Sequence, residues 1–218
     1  MKIKYIGHAC FLVLTADGMR ILTDPYEPDC YDRALKYRPI REEADIVLVS
    51  HGHPDHSGAA YVPGKPVVID RPGFSSVGSV EFSGIQVWHD ASGGAERGEN
   101  IIFRIAADDL VVCHLGDVGH GLDSGTGRKL RPVDVLLIPV GGYFTADEKA
   151  VDDIIADLDP ALVIPMHYKT AGCDFPIAPV GDFLKGRGNV SRPGSSEISL
   201  KAGDVPRGIL VLEPANLP

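Results

Sequence analysis

Apolar residues along this chain fall mostly in short runs broken by Gly, Pro, Asp and Ser, a pattern of many strands and few helices. Strands are predicted at residues 2–6, 10–14 and 19–22, with Ala16-Asp17-Gly18 turning the last two into a hairpin. Residues 45–50 form a further strand whose core, Ile46 to Val49, is wholly apolar, which predicts burial on both faces. More strands follow at 66–69, 80–82, 85–88, 100–105, 110–114, 133–138 and 161–164, and late ones at 197–200 and 209–212.

Between the strands at 133–138 and 161–164 the period changes. Val151, Ile154, Ile155 and Leu158 share one helical face, Thr145-Ala146-Asp147-Glu148 reads as a capping box, and Pro160 ends the segment. A shorter helix is predicted around 179–184. Strands with helices between them predict sheet packed on sheet with helices outside. Neither a repeat nor a linker divides the sequence, so residues 1–218 are expected to form one domain.

Composition narrows the function. A net charge of −9 with scattered Lys and Arg argues against a nucleic-acid partner, which needs clustered cations. Cys10, Cys30, Cys113 and Cys173 lack both C-x-x-C spacing and the density of a secreted scaffold, so they are expected to be reduced thiols. No apolar run approaches the ~20 residues of a membrane span, and the first residues lack a signal-peptide pattern. A cytoplasmic protein acting on a small molecule is the expectation, and exposed strand edges would permit a homo-oligomer.

The densest chemistry follows the strand at 45–50. His51, His53, Asp55 and His56 crowd one turn in which Gly52 relieves the backbone and Pro54 stiffens the exit. So many imidazoles beside a carboxylate are costly unless divalent ions gather them.

Ser50-His51-Gly52-His53-Pro54-Asp55-His56 resembles the H-x-H-x-D-H signature of the metallo-β-lactamase-fold hydrolases. The later pieces keep the same order: His89 after Val87-Trp88, Asp117 after Gly116, and His167 after Ile164-Pro165-Met166. The opening Tyr5-Ile6-Gly7-His8-Ala9-Cys10-Phe11 and Ile21-Leu22-Thr23-Asp24-Pro25 resemble the compact branch that includes ascorbate-6-phosphate lactonase-like proteins, as does Pro139-Val140-Gly141-Gly142-Tyr143.

The resemblance implies an αββα sandwich of two mixed β-sheets, an α+β fold with its site at one edge of the sheets. It assigns His51, His53 and His89 to one metal, Asp55, His56 and His167 to a second, and Asp117 to a bridge between them. Asp24 would orient a ligand histidine. Two zinc ions are the expected cofactor, with Mn2+, Fe2+ or Ni2+ accepted by the same ligand types. Zinc lowers the pKa of bound water to about 7, so metal-bound hydroxide is the expected attacking group, with Asp55 orienting it and passing its proton toward the leaving group.

Several residues keep two readings. His114 competes with His89, but its place inside an apolar strand favours a packed or supporting role. His8 either touches the site or only ends a strand. His120 reads as an exposed loop histidine. Tyr143 and Phe144 either shape a pocket or staple a helix, and Arg97 and Lys169 are candidate anchors for a substrate. The expected function is a metal-dependent hydrolase of a small anionic lactone, ester, amide or phosphodiester. The alternative is a non-catalytic metal-binding or sensor protein of the same fold.

Overall fold

The computed structural model describes residues 1–218. Two mixed sheets carry the chain. The first has the order β13-β1-β2-β3-β4-β5, from Glu197–Ser199, Lys2–Gly7, Cys10–Leu14, Arg20–Thr23, Ile46–Leu48 and Val67–Ile69. The second has the order β12-β14-β11-β10-β9-β8-β7-β6, from Val190–Ser191, Gly208–Leu210, Leu162–Met166, Val135–Pro139, Leu110–His114, Glu99–Ala107, Val80–Trp88 and Gly73–Val77. The predicted sandwich is present.

Alternation along the strands explains the layering. Ile3, Tyr5, Phe11, Val13, Ile21, Ile46 and Leu48 point into the main core shared with the second sheet. Ile6, Cys10, Leu22, Val47 and Val49 point the other way, into a smaller core under the segment from Tyr26 to Ala44. The strand at Ile46–Leu48 is therefore buried on both faces, as its unbroken apolar run predicts. All four cysteines are buried free thiols.

Parallel pairing of β9 with β10 and of β10 with β11 requires crossovers. Helix α2, Ser124–Leu130, supplies the first and α3, Glu148–Leu158, the second, with Val151, Ile154 and Leu158 buried in the main core. The first sheet's outer cover is mostly irregular, with one turn, α1, at Cys30–Arg33. A short helix α4, Val180–Phe183, falls where it was predicted. No helix is long and apolar enough to cross a membrane.

Four local expectations need correction. The separate strands at 80–82 and 85–88 are one strand, because Gly84 does not turn; it lets Arg71 and Pro72 pack against the strand, about 3.1 Å from where a Cβ would sit. β6 and α2 were not predicted. The sequence Ser-Gly-Thr-Gly of α2 is a poor helix former, offset by Asp123, whose carboxylate accepts from the N–H groups of Gly125 and Thr126. The cap of α3 is Asp147, which accepts from Ala150 N–H, and not Thr145, because the Ala146 N–H is drawn away to Val118 O.

Candidate metal centre

Each residue of the proposed centre sits at the carboxyl end of a strand, and those ends share one edge of the sandwich. His8 follows β1, Asp24 follows β3, the His51–His56 turn follows β4, His89 follows β7, Asp117 follows β9 and His167 follows β11. Three of these, His8, Asp24 and His167, have positive φ despite carrying side chains, so part of the chain's backbone strain is held at the site. Two glycines permit the close approach of the loops: a Cβ on Gly119 would lie 2.4 Å from the His89 backbone, and one on Gly141 would lie 2.2 Å from His167 O.

The ligand sets expected from sequence meet in space. His51, His53 and His89 offer nitrogens within 4.8 Å of one another, and so do the ligand atoms of His8, Asp55, His56 and His167. Asp117 stands between the two groups. Its Oδ2 lies 3.2 Å from His56 Nε2, 3.3 Å from both His89 Nε2 and His167 Nε2, and 3.9 Å from His51 Nε2.

Hydrogen bonds fix which ring nitrogens face the centre. The Ser50 hydroxyl donates to Asp24 Oδ2 (2.6 Å) and so accepts from His51 Nδ1–H (2.9 Å), leaving the His51 Nε2 lone pair free. His56 Nδ1–H donates to Asp24 Oδ2 (2.8 Å), again presenting Nε2. His51 Nε2, His56 Nε2 and Asp117 Oδ1 are buried without an aligned hydrogen-bond partner. Orphaned buried acceptors of this kind are costly, and a divalent cation satisfies them together. The donor set therefore fits a metal pair.

Hydrogen bonding distinguishes His89 from His114. His114 Nδ1 accepts from Gly116 N–H (3.2 Å) and its Nε2–H donates to Ala9 O (2.8 Å), so neither nitrogen is free to bind an ion. His89 Nε2 faces Asp117. In the purified protein, His89→Ala is expected to lose about one metal equivalent and His114→Ala none; elemental analysis giving the opposite pattern would reverse the assignment.

His8 joins the second group: its Nε2–H donates to Asp55 Oδ2 (2.9 Å), and its ring lies 4.1 Å from that of His167. His120 is occupied at both nitrogens by Trp88 N–H and Gly121 O. Tyr143 needs correction as a pocket residue. Gly142 and Tyr143 both have left-handed φ, which leaves Tyr143 68% exposed and brings Phe144 into the cavity wall instead.

Charge is distributed to favour a metal. Burial works to raise Asp117 and Asp55, yet His167 and His56 beside the former and His56 beside the latter hold both carboxyls well below the usual range. Burial, followed by His56, lowers His51 to about 3; burial, followed by His167, lowers His8 to about 4. His53 and His114 are also lowered, chiefly by burial. Burial works to lower His56 too, but Asp117 and Asp55 outweigh it and raise it.

These shifts set the pH response of metal-free protein. Below the unfolded value of about 6.5, the unfolded chain binds protons that folded His8, His51, His53 and His114 refuse, so their contribution falls as pH drops. His56 works oppositely: its contribution is present below about 6.5 and is lost as pH rises through its raised folded value. The four outnumber the one. The melting temperature of chelator-treated protein is expected to fall from about pH 7 toward about pH 4.5, and a flat or rising series would contradict this charge distribution.

The sequence alone did not point to several supporting residues. Asn100 is buried, accepts from Asp117 N–H (2.9 Å) and donates to Leu115 O (2.9 Å), which holds the Asp117 loop. Tyr31 donates to Asp55 Oδ1 (3.3 Å) from a turn in which it and Asp32 have left-handed dihedrals. Asp90 accepts from the N–H groups of Ser92 (2.7 Å), Gly94 (2.9 Å), Glu96 (3.0 Å) and Arg97 (2.8 Å). An Asp in the run Asp90-Ala91-Ser92-Gly93-Gly94 is an Asx-turn signal that could have revealed it.

Burial opposes ionisation of Asp90, but those four N–H groups, Arg97 first, hold it at about 2. Asp90→Asn is expected to speed amide exchange of residues 92–97 by about tenfold or more, and unchanged protection there would show that the loop is held by other contacts.

A cavity of about 270 Å³ opens onto the cluster. His53, Asp55, His89, Asp117 and His167 lie at its base, with Tyr31, Arg97, Phe144 and Phe175 around them. A larger cleft of about 680 Å³ borders His51 and His53 but none of the carboxylates of the cluster, so the smaller cavity is the face where substrate would meet both ligand groups.

A family model described as a beta-lactamase superfamily domain matches residues 2–167. A UPF0173 metal-dependent hydrolase of Carboxydothermus hydrogenoformans is 31% identical, over 86% of this chain and 92% of the relative. A Thermotoga maritima structure assigned to the Zn-dependent hydrolases of the metallo-β-lactamase superfamily is 35% identical, with a TM-score of 0.80, covering 97% of this chain and 98% of that one. The metallo hydrolase Igni18 of Ignicoccus hospitalis, 23% identical with a TM-score of 0.60 over 84% of this chain and 88% of its own, shares the fold. With its strand-end cluster of histidines and aspartates in the order of that superfamily, the chain belongs to the metal-dependent hydrolases of the metallo-β-lactamase superfamily.

Proposed function

We propose that this chain is a dinuclear hydrolase of a small anionic lactone, ester, amide or phosphodiester. The observation that carries the reading is the Asp117 carboxylate, set among imidazole nitrogens from both ligand groups. His51, His53 and His89 would hold one ion, Asp55, His56 and His167 the other, and Asp117 both. Zinc suits these nitrogens and oxygens, and manganese, iron or nickel would be accepted by the same residues. A bound metal pair supplies Lewis acidity and activated water at neutral pH.

The protein's own groups do the rest. Asp24 and Ser50 orient His56 and His51 through Nδ1. Asp55 faces the cavity, held between His8 Nε2–H and the Tyr31 hydroxyl, and is placed to take a proton at a carboxylate oxygen and return it to the leaving group. The aromatic walls exclude water from the reacting bond. No nucleic-acid partner is proposed, in keeping with the net charge of −9.

Elemental analysis of protein purified without chelator, run beside hydrolysis of a lactone, a phosphodiester and a thioester with and without added zinc or manganese, tests the reading. About two metals per chain with metal-dependent turnover supports it. Protein that neither carries metal nor takes it up would overturn it.

A further inference from the structure

The cavity above the cluster carries more chemistry than the exclusion of water. Three rings meet edge to face at its wall: Tyr31 and Phe175 have centroids 5.4 Å apart, and Phe144 and Phe175 have centroids 5.8 Å apart. Such a wall favours a flat apolar body over an aliphatic or heavily hydroxylated one. At about 270 Å³ the space lies just below the usual range of ligand sites, ~300 to 1,000 Å³, so it suits a small body.

Arg97 supplies the charge. Its guanidinium lies 5.8 Å over the Phe144 ring, and its only polar contact is a marginal one, 3.5 Å, to Glu96. Nearly all its donors are therefore free, while its backbone N–H is held by the Asp90 carboxylate. A planar donor fork on a pinned backbone is a receptor for carboxylate or phosphate. Lys169, the other candidate cation, is committed, since its Nζ donates to Phe175 O (2.8 Å) and so steadies the wall.

We propose that the substrate is a small aromatic or similarly flat acid derivative whose anionic group is held by Arg97 while Phe144, Phe175 and Tyr31 clamp its body. This deepens the hydrolase reading and rests on it for the reaction. Arg97 is then the specificity-determining residue of the cavity.

Ligand-observed NMR titrations of metal-loaded protein with benzoate, benzamide and acetate test this, with metal content measured on each sample. Wild-type protein is expected to bind benzoate more tightly than benzamide or acetate. Arg97→Met should cut the benzoate-over-benzamide preference by about tenfold, and Arg97→Lys should restore part of it. Phe175→Ala should lower the benzoate-over-acetate preference and leave the first ratio unchanged. An Arg97→Met protein that keeps the full charge preference, or wild-type protein that binds acetate as tightly as benzoate, overturns the proposal while retained metal leaves the hydrolase reading standing. Absence of metal from every sample would overturn both.

Discussion

Asp117→Ala is expected to reduce bound metal from about two ions per chain to one or none and to lower turnover by on the order of a thousandfold. Its carboxylate lies beside Nε2 nitrogens of both ligand sets, so its loss weakens both positions at once. It is also, with Asp55 and Asp24, one of the three carboxylates that raise His56. Without it, the burial of the four imidazoles around it would be less fully offset, and each ion would lose an anionic partner. Circular dichroism should show the fold retained, since Asp117 carries no strand pairing. Elemental analysis showing two metals, together with turnover near that of wild type, would remove Asp117 from the bridging position.

Asp55→Ala should be nearly as costly to turnover but different in kind. Turnover is expected to fall by about a thousandfold or more with at most one metal lost, because His51, His53 and His89 do not depend on Asp55. The residue is buried, receives His8 Nε2–H on one oxygen and the Tyr31 hydroxyl on the other, and still lines the cavity. That combination of fixed geometry and access is what a proton-transfer group needs. Asp55→Asn keeps the shape and removes the basicity. A near-normal rate in either variant would take Asp55 out of the mechanism, whereas loss of both metals would make it chiefly a structural ligand.

The parts of the site that could be read in advance are those whose signal is local. His51, His53, Asp55 and His56 lie in one turn, and the residue types themselves announce a metal. Asp24 was expected to orient a ligand histidine, and its carboxylate accepts a hydrogen bond from His56 Nδ1–H. His89 and His114 could be ranked but not decided, because each ends or nearly ends a strand. In the structure both His114 nitrogens are hydrogen-bonded, one of them to Ala9 O across the sandwich. The cap of α3 and the placement of Tyr143 were misread because each depends on where a neighbour is pulled. Ala146 is bonded to Val118 O, and the left-handed pair Gly142-Tyr143 turns one ring outward and the next inward.

What the sequence by itself determined is the class of fold and the chemistry: short apolar runs dictate two sheets, and a dense His-Asp turn in the order of a known superfamily dictates a metal-dependent hydrolase. Both are encoded in period and local composition, which need no knowledge of distant contacts. Only the tertiary structure decided which histidine nitrogens are free, that Asn100 and Asp90 hold the loops beside the site, and that Tyr31, Phe144, Phe175 and Arg97 surround one cavity. The four cavity residues come from separate segments with no shared pattern, and their meeting follows from strand order, since β3, β7, β10 and β11, which they follow, deliver their carboxyl ends to the same edge of the sandwich.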